Sequence, residues 1–179
     1  MKFRQLSTKD SEDILKLEEE MYWLGKKWHT LWKEEGEQKF RESINDYLTN
    51  FPSGCFGLFD EREQLLGAII FTKLSTIKTI PYIHRFDDYF EKEGGIAYVQ
   101  IFVIKDNSNE LAERMYRQAN KIAKNINCNR ISVVIYSSPV EESILKKLGY
   151  TIEQDNLKWE IYLNKFVDCK IYTIEVKNG

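Results

Sequence analysis

The sequence predicts one mixed α/β domain in which antiparallel hairpins flank a parallel βαβ unit and helices pack on the sheet. Residues 96–104 are almost unbroken in apolar and β-forming side chains, as in a strand buried on both faces. Leu111, Met115, Ala119, Ile122 and Ile126 then recur at helical spacing, and residues 130–136 form a second β-rich run. Strand, helix and strand within about forty residues make a βαβ unit with a right-handed crossover. Residues 55–59 and 64–74, joined by the polar turn Asp60-Glu61-Arg62-Glu63, read as an antiparallel hairpin.

The remaining elements follow in chain order. Residues 1–6 suit a short opening strand, and Ser7-Thr8-Lys9-Asp10 supplies a hydroxyl N-cap with an acid in the first turn. Ile14, Leu17, Met21 and Leu24 line one face of the helix that follows, until Gly25 interrupts; Trp28, Leu31 and Trp32 resume the spacing. Phe40, Ile44, Tyr47 and Leu48 mark another helix, ending near Asn50-Phe51-Pro52. Residues 75–95 lose periodicity and read as a long loop carrying a short helix around 86–91. Ser137-Ser138-Pro139 opens a helix whose Val140, Ile144 and Leu148 face inward and which Gly149 caps. Two strands, 150–154 and 157–163, are expected around a turn at Asp155-Asn156, followed by a further strand at 167–176. With no internal repeat and no Pro- or Gly-rich linker, residues 1–179 read as a single domain.

Composition narrows the function classes. The 26 basic and 28 acidic side chains leave a net charge of −2, so no strong field favours nucleic acid or an anionic membrane. No apolar run approaches a bilayer span of about 20 residues, and the first nine residues hold no apolar stretch like that of a signal peptide, so the expected setting is cytoplasmic. Cys55, Cys128 and Cys169 lack paired spacing and read as buried thiols. His29 and His84 are isolated, and no cluster has metal-ligand spacing.

The element order over residues 1–163 resembles the GNAT family of acyl-CoA-dependent N-acyltransferases, with residues 164–179 as a C-terminal strand extension. Leu66-Gly67-Ala68-Ile69-Ile70 is similar to the family's third strand, and residues 99–104 with the helix after them to its cofactor-binding motif. Ile144-Leu145-Lys146-Lys147-Leu148-Gly149-Tyr150 is similar to its final helix and Gly-aromatic step. The resemblance implies a GNAT-like, mostly antiparallel sheet around the parallel βαβ core. It further implies that the fourth and fifth strands splay so that the pantetheine arm of acetyl-CoA pairs with backbone at Phe102, Val103 and Ile104. The pyrophosphate would meet the next helix N-terminus at Asn107, Ser108, Asn109, Glu110, Leu111 and Ala112, where free N–H groups and the helix dipole favour an anion. Ser138, at the start of the final helix, joins this cofactor-binding set.

Two positions depart from the family pattern. In the phosphate loop, which usually reads Arg or Gln, two residues, Gly, one residue, Gly or Ala, only Ala112 matches, and Glu110 stands where Gly is usual. A carboxylate about 4 Å from a phosphate charge would cost a few kcal/mol at an effective dielectric near 20, unless Glu110 turns outward as an ordinary first-turn acid. Leu145 stands where many members place a Tyr that protonates the leaving thiolate, and Tyr98, Tyr136 and Tyr150 read as half-buried strand aromatics, so no catalytic acid is named. For the base, Glu18, Glu19, Glu20, Asp87 and Asp88 are all open, although a Glu run on a helix is ordinarily a solvated face. Tyr22, Trp23, Trp28 and Trp32 are candidates to floor a pocket for a cationic amine.

The expected activity is transfer of an acetyl group from acetyl-CoA to the primary amine of a small molecule or peptide, by direct attack, with a backbone N–H at Val103 or its neighbour polarising the thioester. The alternative is a GNAT-like domain without turnover that serves as a ligand-binding or protein-interaction module, with the terminal strand covering a sheet edge or pairing a homodimer. A nucleic-acid-binding α/β domain is disfavoured by the charge balance.

Overall fold

The computed structural model describes residues 1–23, 36–81, 85–136, 139–162 and 164–176. A single seven-stranded sheet has the order β1-β2-β3-β4-β5-β7-β6. Its strands are β1 (Lys2–Gln5), β2 (Cys55–Phe59), β3 (Leu65–Leu74), β4 (Ile96–Ile104), β5 (Arg130–Ile135), β6 (Thr151–Tyr162) and β7 (Lys165–Glu175). All neighbours are antiparallel except β4 and β5, whose parallel pairing bears out the βαβ unit. Helices α1 (Ser11–Glu18) and α2 (Glu37–Asn50) pack on each other, and α1 lies over β3 and β4. The short α3 (Phe86–Tyr89) sits in the long loop; α4 (Asn109–Asn125) and α5 (Pro139–Lys147) form a second packed pair, with α4 against β3, β4 and β5.

The start of α1 shows how local chemistry fixes an element. Ser7 and Asp10 form a reciprocal capping box, the Ser7 amide donating to Asp10 Oδ2 at 2.8 Å. Arg4, reaching from β1, donates to both oxygens of Asp10 at 3.1 and 2.9 Å and lies 3.7 Å over the Phe59 ring. Burial by itself would push the Asp10 carboxyl up, but the hydrogen bonds from Arg4 and Ser7 prevail and hold it below the ordinary range. Past Glu18 the chain makes one π-helical turn, Glu19–Trp23, which carries Tyr22 to β4. Leu24, Gly25, Trp28, His29, Leu31, Trp32 and His84 lie outside the described residues.

At the centre of the sheet, Gly67 faces Ile104, and a Cβ there would stand 2.5 Å from Met115 Sδ and 3.0 Å from Val103 O. The absent side chain therefore lets α4 settle on the sheet. Gly149 adopts φ +90° at the end of α5, the left-handed conformation that a helix C-cap favours. Cys55, Cys128 and Cys169 are buried, and burial pushes their thiols up, Cys169 to about 11, as in inert structural cysteines.

The C-terminal third corrects the sequence reading twice. No turn forms at Asp155-Asn156: β6 runs through from Thr151 to Tyr162, and an irregularity in its register between Gln154 and Leu157 absorbs Asn156 at φ +56°. Asn tolerates that left-handed geometry, so the residue type that suggested a turn serves a bulge instead. The hairpin closes later, next to Asn164 at φ +61°. The terminal strand expected to cover a sheet edge lies inside the sheet: β7 pairs with β5 from Arg130↔Glu175 to Ile135↔Lys170 and with β6 on its other side. Its Ile171 and Tyr172 are fully buried, so the sheet is incomplete without it.

Replacing Asp10 by Asn should cost about 1.5–3 kcal/mol, the range for a hydrogen bond to a charged group, measured by urea unfolding at pH 7. Because the folded carboxyl is more acidic than the unfolded one, this stabilisation is complete above the unfolded range, near pH 4, and fades as pH falls through the lower folded value. A chain cut after residue 163 should fail to show a cooperative thermal transition by circular dichroism, since β5 then loses its antiparallel partner.

Candidate active site

Strands β4 and β5 pair only from Ile96↔Arg130 to Val99↔Val133. Where that pairing stops, Gln100 is an extra residue in β4, because the consecutive Ile70 and Phe71 face Ile101 and Val99. A bulge of this kind bends its strand, and β4 continues to Ile104 without contact to β5 in the ladder. The divergence opens a cleft between the C-terminal ends of the two parallel strands. Among the described residues, a cavity of about 200 Å³ lies in it toward the start of α4 and another of about 40 Å³ among aromatic side chains.

The larger cavity is lined by Phe102, Ile104, Asn107, Asn109 and Ala112 of the expected cofactor-binding set, joined by Met21, Glu141 and Ile144. Val103, Ser108, Glu110 and Leu111 do not line it. Phe102 turns its carbonyl toward the cleft, where it accepts a hydrogen bond from the Tyr22 hydroxyl at 3.0 Å. Backbone groups alternate along a strand, so Ile104 shares this orientation and Val103 faces β3; the N–H groups turned to the cleft are those of Phe102 and Ile104. Asp106 and Asn107 both take positive φ, +55° and +49°, and swing the chain from β4 into α4. The Ser108 hydroxyl caps Leu111 N–H, leaving the amides of Asn109 and Glu110 in the open first turn. Glu110 is exposed and bound to Arg114 at 2.8 Å, one turn along the surface of α4, so its charge is directed away from the cavity and offset. Ser138 lies outside the described residues.

The smaller cavity is walled by Tyr22, Tyr98, Tyr136 and Trp159, with Phe102 and Glu141 shared with the larger one. Tyr98 is 2% exposed and Tyr150 5%, so these two are buried rather than half-buried. Trp159 Nε1 donates to Ile80 O at 2.7 Å, which ties the long loop to β6 over this wall. Glu18 corrects the reading of a solvated Glu run: it is 3% exposed, and its charge bears on the phenols of Tyr22 and Tyr136, whereas Glu20 is exposed. Asp87 and Asp88 are exposed on α3 and line neither cavity. Leu145 is fully buried and supplies no proton.

Glu141 is the residue the sequence reading passed over. It lines both cavities, and Tyr116, stacked on Phe102 at 4.5 Å between ring centroids, donates to its Oε1. Burial pushes the Glu141 carboxyl up to about 7, with the Tyr116 hydrogen bond pulling the other way. The adjacent Glu142 accepts from the Tyr172 hydroxyl at 2.7 Å, which pins the first turn of α5 to β7. A signal was present in the sequence, since Glu141 lies one turn before Leu145 on α5, and a carboxylate on an inward helix face is a candidate site residue.

No family model matches the sequence, and no curated protein matches it by sequence. Solved structures match along nearly the whole chain. An acetyltransferase of the GNAT family from Streptococcus pneumoniae is similar at a TM-score of 0.61 and 14% identity, covering 98% of this chain and 99% of that one. The loading GNATL domain of CurA from Lyngbya majuscula gives 0.68 and 14%, covering 98% and 97%. The C-terminal condensation domain of Ebony, solved in complex with beta-alanyl-dopamine, gives 0.67 and 12%, covering 98% of each chain. At these identities the likeness is one of architecture: the chain has the GNAT fold.

Because the folded pKa of Glu141 lies above the unfolded value, its stabilising contribution is complete below about pH 4.5 and is lost as pH rises through about 7. The protein should lose stability between about pH 4.5 and 7, and Glu141→Gln should flatten that decline, as read from urea midpoints across the range.

Proposed function

We propose that the protein is an acetyl-CoA-dependent N-acetyltransferase that acts on a primary amine by direct transfer within a ternary complex. The single observation that carries this reading is the cleft between β4 and β5, which joins a cavity at a helix N-terminus to an aromatic, acidic one. Acetyl-CoA, when bound, supplies an acyl carbon already activated as a thioester. The cleft-facing backbone of Phe102 and Ile104 would pair with its arm, as an added strand pairs with a sheet edge. Asn107, Asn109 and the open amides at the start of α4 would meet its pyrophosphate, in the field of a long helix dipole.

The acceptor side favours an amine. Tyr22, Tyr136 and Trp159 offer aromatic faces to a cation and Glu141 offers negative charge, while Glu18 acts from behind the wall through its charge on Tyr22 and Tyr136. A cavity of about 40 Å³ suits the amine head and leaves the rest of a small molecule or peptide outside. Catalysis then rests on holding amine and acyl carbon together and on backbone N–H groups at the developing oxyanion. A homodimer would use β6, the sheet's outer strand on that side, near which Ile152 and Phe166 are exposed.

The alternative, a GNAT-like module that binds without turnover, is favoured by the Tyr22 hydrogen bond, which already occupies the Phe102 carbonyl, and by Leu145 in place of a phenol. Calorimetric titration tests the reading: acetyl-CoA and CoA should bind saturably below millimolar concentration, and no heat at millimolar concentration would end the transferase assignment. Binding without thiol release in the presence of a panel of primary amines would instead support the module.

A further inference from the structure

We propose that Glu141 is the catalytic residue that carries the proton from the amine nitrogen to the thiol sulfur, with Tyr116 as its positioning residue. The inference rests on the transferase reading and supplies the acid and base that reading leaves unnamed.

Geometry singles out this side chain. Among the described residues Phe102 and Glu141 are shared by the two cavities, and of these Glu141 alone can exchange a proton. Among the described residues, Tyr116 from α4 is hydrogen-bonded to it, Tyr22 from the π turn and Tyr136 just after β5 feel its charge, and both of those phenols also feel Glu18 of α1. Burial drives all three phenols upward, so they stay protonated and are weak acids toward a thiolate. The Tyr22 hydroxyl is in addition committed to Phe102 O. Glu18 lines neither cavity. The Glu141 carboxyl, held near 7 by burial, accepts and gives up a proton at neutral pH with little cost in either direction.

An amine arriving as ammonium first leaves its extra proton to water. As the C–N bond forms, the Glu141 carboxylate takes one proton from nitrogen. As the C–S bond breaks, the resulting carboxylic acid gives that proton to sulfur, so amide and thiol leave with Glu141 ionised again. Tyr116 acts through Glu141: its hydrogen bond to Oε1 stabilises the carboxylate and fixes the side chain between the cavities.

Glu141→Gln should lower kcat by about 10²–10⁴-fold, the usual worth of a general acid–base group, while acetyl-CoA still binds by calorimetry. In the wild type the rate should rise with pH through a midpoint near 7. Tyr116→Phe should move that midpoint upward and keep most of the high-pH rate, an effect a merely structural role would not produce. An independent readout is the side-chain carboxyl ¹³C shift of labelled Glu in the substrate-free protein, assigned with Glu141→Gln: Glu141 should titrate near 7, and higher in Tyr116→Phe. Retention of most of kcat by Glu141→Gln, or a Glu141 carboxyl that titrates in the ordinary range, overturns the proposal and leaves the transferase reading standing. A wild type that binds no acetyl-CoA overturns both.

Discussion

The extra residue at Gln100 is the constraint from which the rest of the site follows. Parallel strands that stayed paired to their ends would leave no room between α4 and α5, and every backbone group of β4 would be satisfied inside the ladder. With the bulge, pairing ends at Val99↔Val133, and the last part of β4 keeps one edge for other partners. Tyr22 takes one of those groups, the N-terminus of α4 closes one end of the opening, and the first turn of α5 closes its flank. Packing elsewhere serves this geometry: Gly67 admits α4, and Tyr172 holds α5 through Glu142.

Two partly enclosed carboxylates show how partners, not burial alone, decide ionisation. Asp10 meets the guanidinium of Arg4 and the amide and hydroxyl of Ser7, and its charge is held in place as a structural link between β1 and α1. Glu141 meets a phenol, a neutral donor that recovers only part of the lost hydration, and its proton is held more tightly than in water. The first arrangement suits a fixed joint; the second suits a group that changes state during a reaction.

Much of the architecture was legible because it is written in local periodicity. The apolar run of β4, the helical spacing of Leu111 to Ile122 and the hairpin of residues 55–74 needed no knowledge of distant partners. The loop chemistry was less readable. Glu110 could repel a phosphate or point away, and only its pairing with Arg114 decides. Asn156 carries the residue type of a turn but occupies a bulge, since both need the same left-handed backbone. Glu141 was overlooked because a helix face reads as core when its neighbours are Ile and Leu.

The sequence by itself determined most of the elements and the parallel βαβ core, because hydrophobic spacing and turn chemistry act over a few residues; the cleft beside β4 was expected only from the family resemblance. Tertiary structure alone decided that β7 enters between β5 and β6, that Glu18 is buried, and that Tyr22, Tyr116 and Glu141 converge from three separate helical segments. Those outcomes depend on which distant surfaces meet, and hence on desolvation and on hydrogen bonds across the fold, neither of which has a period along the chain.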